Sequence, residues 1–92
     1  MKYRLIYTAG YTRRAKKIFK KHPELLRQYE KTLELLELNP QHPSLRYHAL
    51  QGRLAGLSSV SINRSYRIVL ALMIQAHDII LIDIGSHDAV YC

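Results

Sequence analysis

Six side chains in the second half of this chain carry chemistry that packing alone does not call for: His48, Arg53, Arg64, Arg67, His87 and Tyr91. Singly, each has a plain structural reading. A histidine near a strand end is usually a surface or satisfied residue, Arg67 can flank a strand, Tyr91 can close a core, and Asp88 can cap a turn. Taken together they change character. An arginine is a permanent cation, a histidine exchanges a proton near neutrality, and an aromatic ring stacks on a base. Those are the parts needed to act on a phosphodiester, where the cation stabilises a crowded anionic phosphorane. The stretch Ile84-Gly85-Ser86-His87-Asp88-Ala89-Val90-Tyr91 follows the apolar run Ile79-Ile80-Leu81-Ile82, and a strand that had only to finish needs no histidine. The chain has no glycine-rich phosphate loop, nucleophile elbow, zinc-protease motif or carboxylate pair, so most enzyme classes drop out.

The elements that must place these residues follow from the apolar period. Lys2 to Thr8 alternates as a strand with Tyr3, Leu5 and Tyr7 inward, and Gly10 breaks it. From Tyr11 the apolar positions 11, 15, 18, 19 and 22 have helical spacing, with Arg13, Arg14, Lys16, Lys17, Lys20 and Lys21 between them, which predicts a basic amphipathic helix over 11–21. Pro23 suits the first position of a second helix over 23–38, whose apolar face is Leu25, Leu26, Tyr29, Leu33 and Leu36 and whose stop is Asn39-Pro40. The two make an antiparallel hairpin. A proline-containing loop then leads to a segment where Gly52 and Gly56 bracket a turn or bulge, and Val60 and Ile62 alternate with Ser59 and Ser61 in an exposed or half-buried strand.

Residues 66–74 and 79–85 are near-continuous apolar runs joined by too few residues for a crossover helix, so they are adjacent antiparallel strands at the centre of the sheet. Pairing them sets 67–69 opposite roughly 83–87 and makes Arg67 and His87 neighbours. The order βααβββ predicts an α+β fold, with a helical hairpin packed on a small, mostly antiparallel sheet.

Length and charge bound the rest. Ninety-two residues make one domain, 1–92, with room for a single core, since a chain of this size buries roughly 60–65% of its unfolded surface. The single cysteine, Cys92, cannot form an internal disulfide, and no Cys/His set has zinc spacing, so neither metal nor cofactor is called for. The N-terminal apolar stretch is too short for a signal-peptide core, and no run approaches the ~18 apolar residues of a membrane span, which points to a cytoplasmic protein with no membrane partner. The net charge of +7 is unevenly spread: residues 1–21 hold eight Lys/Arg and no acid, and residues 45–67 hold four Arg and no acid. Two acid-free basic blocks fit a polyanion, RNA or DNA, or an acidic protein partner; the plain alternative is a basic surface kept for solubility.

The order of elements, the stretch from His48 to Leu70 (HALQGRLAGLSSVSINRSYRIVL) and the ending IGSHDAVY together resemble the RelE/ParE toxin superfamily of bacterial toxin–antitoxin modules, closest to its YafQ-like branch. The resemblance spans nearly the whole chain. It implies a RelE-like fold and a ribonuclease that cuts messenger RNA in the ribosomal A site, held silent by a cognate acidic antitoxin in a hetero-oligomer. Residue by residue, His87 matches the C-terminal catalytic histidine of the YafQ-like branch, Tyr91 the aromatic after it, His48 the upstream histidine, and Arg67 the arginine that contacts the scissile phosphate in RelE-like members. The branch also carries a histidine and an aspartate that would fall near Ser61 and Ser65, and neither serine can replace a general base or acid.

Carried onto this chain, the resemblance places Arg67 on the phosphate, His87 as general acid, His48 as base and Tyr91 stacking on or orienting the substrate. Arg46, Arg53 and Arg64 would grip flanking phosphates, and Lys16, Lys17 and Lys20 would bind ribosomal RNA or the antitoxin. Two other classes stay open. The ParE branch shares the fold and inhibits DNA gyrase without being a nuclease, and an inactive toxin-like fold could serve as a binding module.

Overall fold

The computed structural model describes residues 2–91, so the expectation for Cys92 lies outside the described residues. A strand β1 (Arg4–Tyr7) leads into helix α1 (Ala9–Lys21), a 3₁₀ turn at Pro23–Leu25 and helix α2 (Leu26–Leu38). Strands β2 (His48–Ala49), β3 (Ser58–Ser61), β4 (Tyr66–Met73) and β5 (Asp78–Ser86) follow, and a short helix α3 (His87–Tyr91) ends the described chain. The sheet order is β1-β5-β4-β3-β2, with β1 parallel to β5 and every other pair antiparallel. This is an α+β fold with β4 and β5 at its centre. Among the described residues no helix is long and apolar enough to cross a membrane.

The first helix begins earlier than the apolar spacing indicates. Thr8 caps it, its hydroxyl accepting from the Tyr11 N–H at 3.4 Å while donating to the Leu81 carbonyl at 2.7 Å, so one side chain ends the strand and starts the helix. Gly10 therefore sits inside the first turn of α1. Pro23 opens a 3₁₀ turn and α2 proper starts at Leu26, which leaves Leu26 exposed rather than on the buried face.

One face of the sheet receives both helices. Tyr11, Ala15 and Leu36 bury against Val60, Ile62, Ile68, Leu70, Ile79, Leu81 and Ile84 in one cluster. The helices meet through Tyr29, whose hydroxyl lies 2.8 Å from that of Tyr11 and whose ring lies 4.5 Å from that of Phe19. Burial pushes the Tyr11 hydroxyl far above the ordinary phenol range, and burial pushes Tyr29 up as well, against the opposing effect of its bond to Tyr11.

Two expectations of burial need correction. Tyr7 is 52% exposed, because β1 is an edge strand and Tyr7 is its last residue, beyond the cover that half-buries Tyr3 and Leu5. The β3 strand is not exposed or half-buried: Ser58, Ser59 and Val60 are all buried. Its second face is covered because the chain returns over it as α3, a helix the apolar period does not announce.

Candidate active site

On a strand, alternate residues share a face, and residues directly opposite on paired strands share it too. Val60, Ile68 and Ile84 are paired and point into the helical core. The neighbouring rows, Ser61–Arg67–Gly85 and Ser59–Val69, therefore face the other way, and His48 opposite Ser59 extends the second row to the edge strand, while Asp83, opposite Val69 at a bulge, turns its carboxylate to Arg14 of α1 at 3.1 Å. The site is built on this face.

The turn before Arg67 is fixed by Asn63. Its side-chain oxygen accepts the N–H groups of Ser65 and Tyr66, both at 2.8 Å, and the Ile62 N–H donates to the Tyr66 carbonyl at 2.9 Å. An asparagine that satisfies the backbone ahead of it makes a tight reversal without a glycine. Arg67 thus stands second on β4, with Gly85 as its bare partner across the ladder. Its Nη2 donates to the Arg46 carbonyl at 3.5 Å, and its Nε is buried with no hydrogen-bond partner, the one such atom found among the described residues. A buried side-chain N–H left unpaired costs free energy.

The Arg46 carbonyl is also approached by His48 Nδ1 at 3.3 Å. A carbonyl only accepts, so His48 carries a proton on Nδ1, which leaves Nε2 as its basic nitrogen when the ring is neutral. That carbonyl is aimed by backbone geometry: Arg46 has φ 51°, in the left-handed region, where it ends the Pro43–Leu45 turn. A non-glycine residue held there stores on the order of 1 kcal/mol or more, and such strain collects at functional sites.

From His48 the contacts continue across the face. His48 Nε2 lies 3.5 Å from Ser59 Oγ, and Ser59 Oγ lies 2.6 Å from the Tyr91 hydroxyl. The Tyr91 ring meets the His87 ring edge-on at 4.5 Å, as expected of residues four apart on one helix face. His87 Nδ1 lies 3.6 Å from the Asp88 carboxylate, and the His87 side chain is 62% exposed. The N–H of His87 donates to the Ser65 carbonyl at 3.0 Å, and the Ala89 N–H donates to Ser86 Oγ at 3.3 Å, which starts the helix.

The tail is therefore not a strand end meeting solvent. It is a helix folded back on the sheet, with Val90 over Gly85, and Tyr91 is half-buried. Arg67 and His87 are brought together through the backbone, by the Arg67–Gly85 pair and the Ser65–His87 bond, while their side chains turn to different partners.

Ser44, Arg46, Ser61, Asn63, Arg64 and Arg67 line a cleft of about 270 Å³ with no carboxylate in its wall. Both serines that depart from the resemblance belong to this region: Ser61 lines the cleft and the Ser65 carbonyl holds His87. Arg53 lies on the Gly52–Leu54 turn, outside the residues that line the cleft. Lys16, Lys17 and Lys20 are exposed on α1; Lys17 and Lys20 border a different groove, with Lys21, His22 and Tyr66. Among the described residues no group of three or more His, Cys, Asp or Glu could hold a metal ion.

Sequence reasoning missed three contributors: Ser59, which joins His48 to Tyr91; Gly85, which admits α3; and the Arg46 carbonyl, which receives two candidate residues. The alternation Ser59-Val60-Ser61-Ile62 does place Ser59 on the face opposite the core, which is the signal that could have found it.

No protein-family model matches the chain, and no curated protein matches it by sequence. Solved structures do match. YafQ from E. coli strain BL21(DE3) superimposes with a TM-score of 0.80 at 16% identity, covering 96% of this chain and 97% of that one. The E. coli DinJ–YafQ toxin–antitoxin complex gives 0.79 at 17% identity with both chains fully covered. The YoeB/ParE toxin from Agrobacterium tumefaciens gives 0.77 at 15% identity, covering 91% and 98%. The architecture described above is the RelE/ParE-like toxin fold, of the type seen in YafQ.

Proposed function

We propose that the chain is the toxin of a toxin–antitoxin pair and acts as an endoribonuclease on messenger RNA in the ribosomal A site. The observation that carries this reading is the contact path on one sheet face: Arg67 and His48 on the Arg46 carbonyl, His48 to Ser59, Ser59 to Tyr91, and Tyr91 to His87. It sits beside a cleft with three arginines and no carboxylate in its wall.

Cleavage by the neighbouring 2′-OH needs a base, charge on the phosphate and an acid. His48 takes the 2′-OH proton on Nε2 as the 2′ oxygen forms its bond to phosphorus. Arg67, which lines the cleft, stabilises the charge that builds on the non-bridging oxygens. The bond from phosphorus to the 5′ oxygen breaks, and exposed His87 supplies the proton that oxygen needs. The products are a 2′,3′-cyclic phosphate and a 5′-hydroxyl. Arg46 and Arg64 hold the flanking phosphates, and no step calls for a cofactor.

The partner that silences this activity is an acidic antitoxin, supported by the +7 charge and by the fold shared with a toxin solved together with its antitoxin. Lys16, Lys17 and Lys20 lie apart from the cleft and contact ribosomal RNA or the antitoxin; Arg53 contacts RNA outside the cleft. A cytoplasmic site of action goes with this substrate.

The test is tightly controlled expression in a bacterium with mapping of messenger 5′ ends. Cuts at fixed positions within codons are expected. Intact messages accompanied by an SOS response would replace this reading with gyrase inhibition.

A further inference from the structure

Ser59 is the residue through which the two sides of the face meet, and we propose that it is a positioning residue that holds Tyr91, and through Tyr91 the His87 imidazole, in register with His48. The proposal rests on the ribonuclease reading above. Ser59 is 0% exposed at the centre of β3, with His48 opposite it on one side and Val69 on the other. Its Oγ lies 2.6 Å from the Tyr91 hydroxyl, a short hydrogen bond, and 3.5 Å from His48 Nε2, at the outer edge of hydrogen-bonding range.

The need for such a hold follows from the length of α3. Five residues cannot sustain a helix in water, so α3 exists by what fastens it to the sheet. The His87 N–H on the Ser65 carbonyl, the Ala89 N–H on Ser86 Oγ and Val90 on Gly85 secure its beginning and middle. At its end the fastening is the bond from Tyr91 to Ser59. Because the Tyr91 ring lies edge-on to His87 at 4.5 Å, fixing the tyrosine also restricts the histidine one turn earlier.

His48 Nδ1 carries its proton toward the Arg46 carbonyl, and Nε2 has a single lone pair, which the 2′-OH proton needs, so the 3.5 Å approach of Ser59 Oγ is a packing contact and not a donated bond. The hydrogen bond of Ser59 is the one it shares with Tyr91, in which either hydroxyl can donate. Tyr91 orients His87 and substrate.

The plain alternative is that Ser59 is there only because a small residue fits a buried strand position. Alanine would then serve equally well. The test uses the full chain with Ser59→Ala, Tyr91→Phe and the double variant. Two readouts are needed: NMR shifts of the His87 ring protons, which feel the Tyr91 ring current, and single-turnover cleavage of a message on programmed ribosomes.

Each single variant is expected to move the His87 ring shifts toward those of a free histidine while the backbone amides of β4 and β5 stay in place. Each lowers the cleavage step by on the order of 10²-fold with little change in apparent affinity, the usual cost of displacing a catalytic group by ~1 Å. The double variant is expected to be no worse than the worse single one, since both remove the same bond. Tyr91→Phe, altered at the sheet surface rather than in buried β3, keeps the test open should Ser59→Ala fold poorly. Unmoved His87 shifts in both single variants, or full-rate cleavage by a folded Ser59→Ala chain, overturn the proposal. A wild-type chain that leaves every message intact overturns the ribonuclease reading itself, and the catalytic part of this one with it.

Discussion

Val90 rests on Gly85. A Cβ placed on that glycine would lie 3.3 Å from Val90 Cγ1 and 3.5 Å from the Ala89 Cβ, so α3 lies against bare strand backbone. Gly85→Ala should push α3 off the sheet by a few tenths of an ångström and strain the bond from Tyr91 to Ser59. Cleavage is expected to fall by about tenfold or more, because catalytic geometry tolerates little displacement. Stability should change by less than the ~1–3 kcal/mol typical of overpacking, since α3 is short and can yield. Gly85→Val should reach that cost. Thermal melts run alongside cleavage assays separate the two effects; an alanine variant with wild-type cleavage would show that α3 tolerates the displacement.

His87 is exposed, so His87→Ala should leave the melting temperature near wild type, with a stability change within about 0.5 kcal/mol. Its cleavage rate should drop by about 10²–10⁴, the range for a lost general acid or base. Arg67→Ala should lose activity by a comparable factor through the phosphate charge it no longer balances. The checks are circular dichroism, melting temperature and cleavage on programmed ribosomes. Full activity in His87→Ala would reduce this histidine to the first residue of a surface helix.

Removing Tyr91 together with Cys92 has a different expectation. Tyr91 is half-buried and bonded to Ser59, so the truncated chain should lose activity and also lose some stability, with the loss confined to α3. Hydrogen exchange should show the amides of residues 87–90 opening faster while those of β4 and β5 keep their protection.

The Tyr11–Tyr29 pair makes the fold sensitive to alkali. Both hydroxyls have folded pKa values raised above the ordinary 10.0, chiefly by burial. In the unfolded chain they ionise near that value, so below it the pair's contribution is fully present, and as pH rises past it the unfolded state alone releases protons and stability falls. Tyr11, which stays protonated in the folded chain, contributes a slope of about 1.4 kcal/mol per pH unit in that window, and Tyr29 acts in the same direction. Melting temperatures between pH 8 and pH 11.5 should stay level and then decline steeply. Tyr11→Phe should flatten the decline while lowering stability at neutral pH, where it leaves the half-buried Tyr29 hydroxyl without its partner.

Ile68 lies next to Arg67 in sequence but points into the helical core, fully buried. Ile68→Val should cost about 0.5–1.5 kcal/mol and Ile68→Ala about 2–5 kcal/mol in denaturant unfolding. While the chain remains folded, cleavage should hold in the valine variant, because the residue belongs to the face opposite the site.

The sequence by itself determined the elements whose cause is local. The helical spacing of Tyr11, Ala15 and Ile18, the stops at Pro23 and Asn39-Pro40, and the short link between two apolar runs are each enough to specify a helix, a break or a hairpin. The short link also sets the register near the turn, with Met73 opposite Asp78 and Leu70 opposite Leu81, but a bulge beside Val69 then shifts the pairing by one residue, and that shift, which no period announces, is why Arg67 falls opposite Gly85 and not Ile84. The uneven charge is likewise legible, since it needs no fold to be counted. Tertiary structure alone decided what covers what. Tyr7 has the inward parity of Tyr3 and Leu5 but ends an edge strand, and Ser59 looks solvent-facing by pattern but is sealed by a helix that returns from 32 residues further along the chain. That helix has no period of its own to announce it. Its five residues are helical because Ser65, Ser86, Gly85 and Ser59, drawn from one loop and two strands, each supply one fastening, and only the folded sheet brings those four to one place.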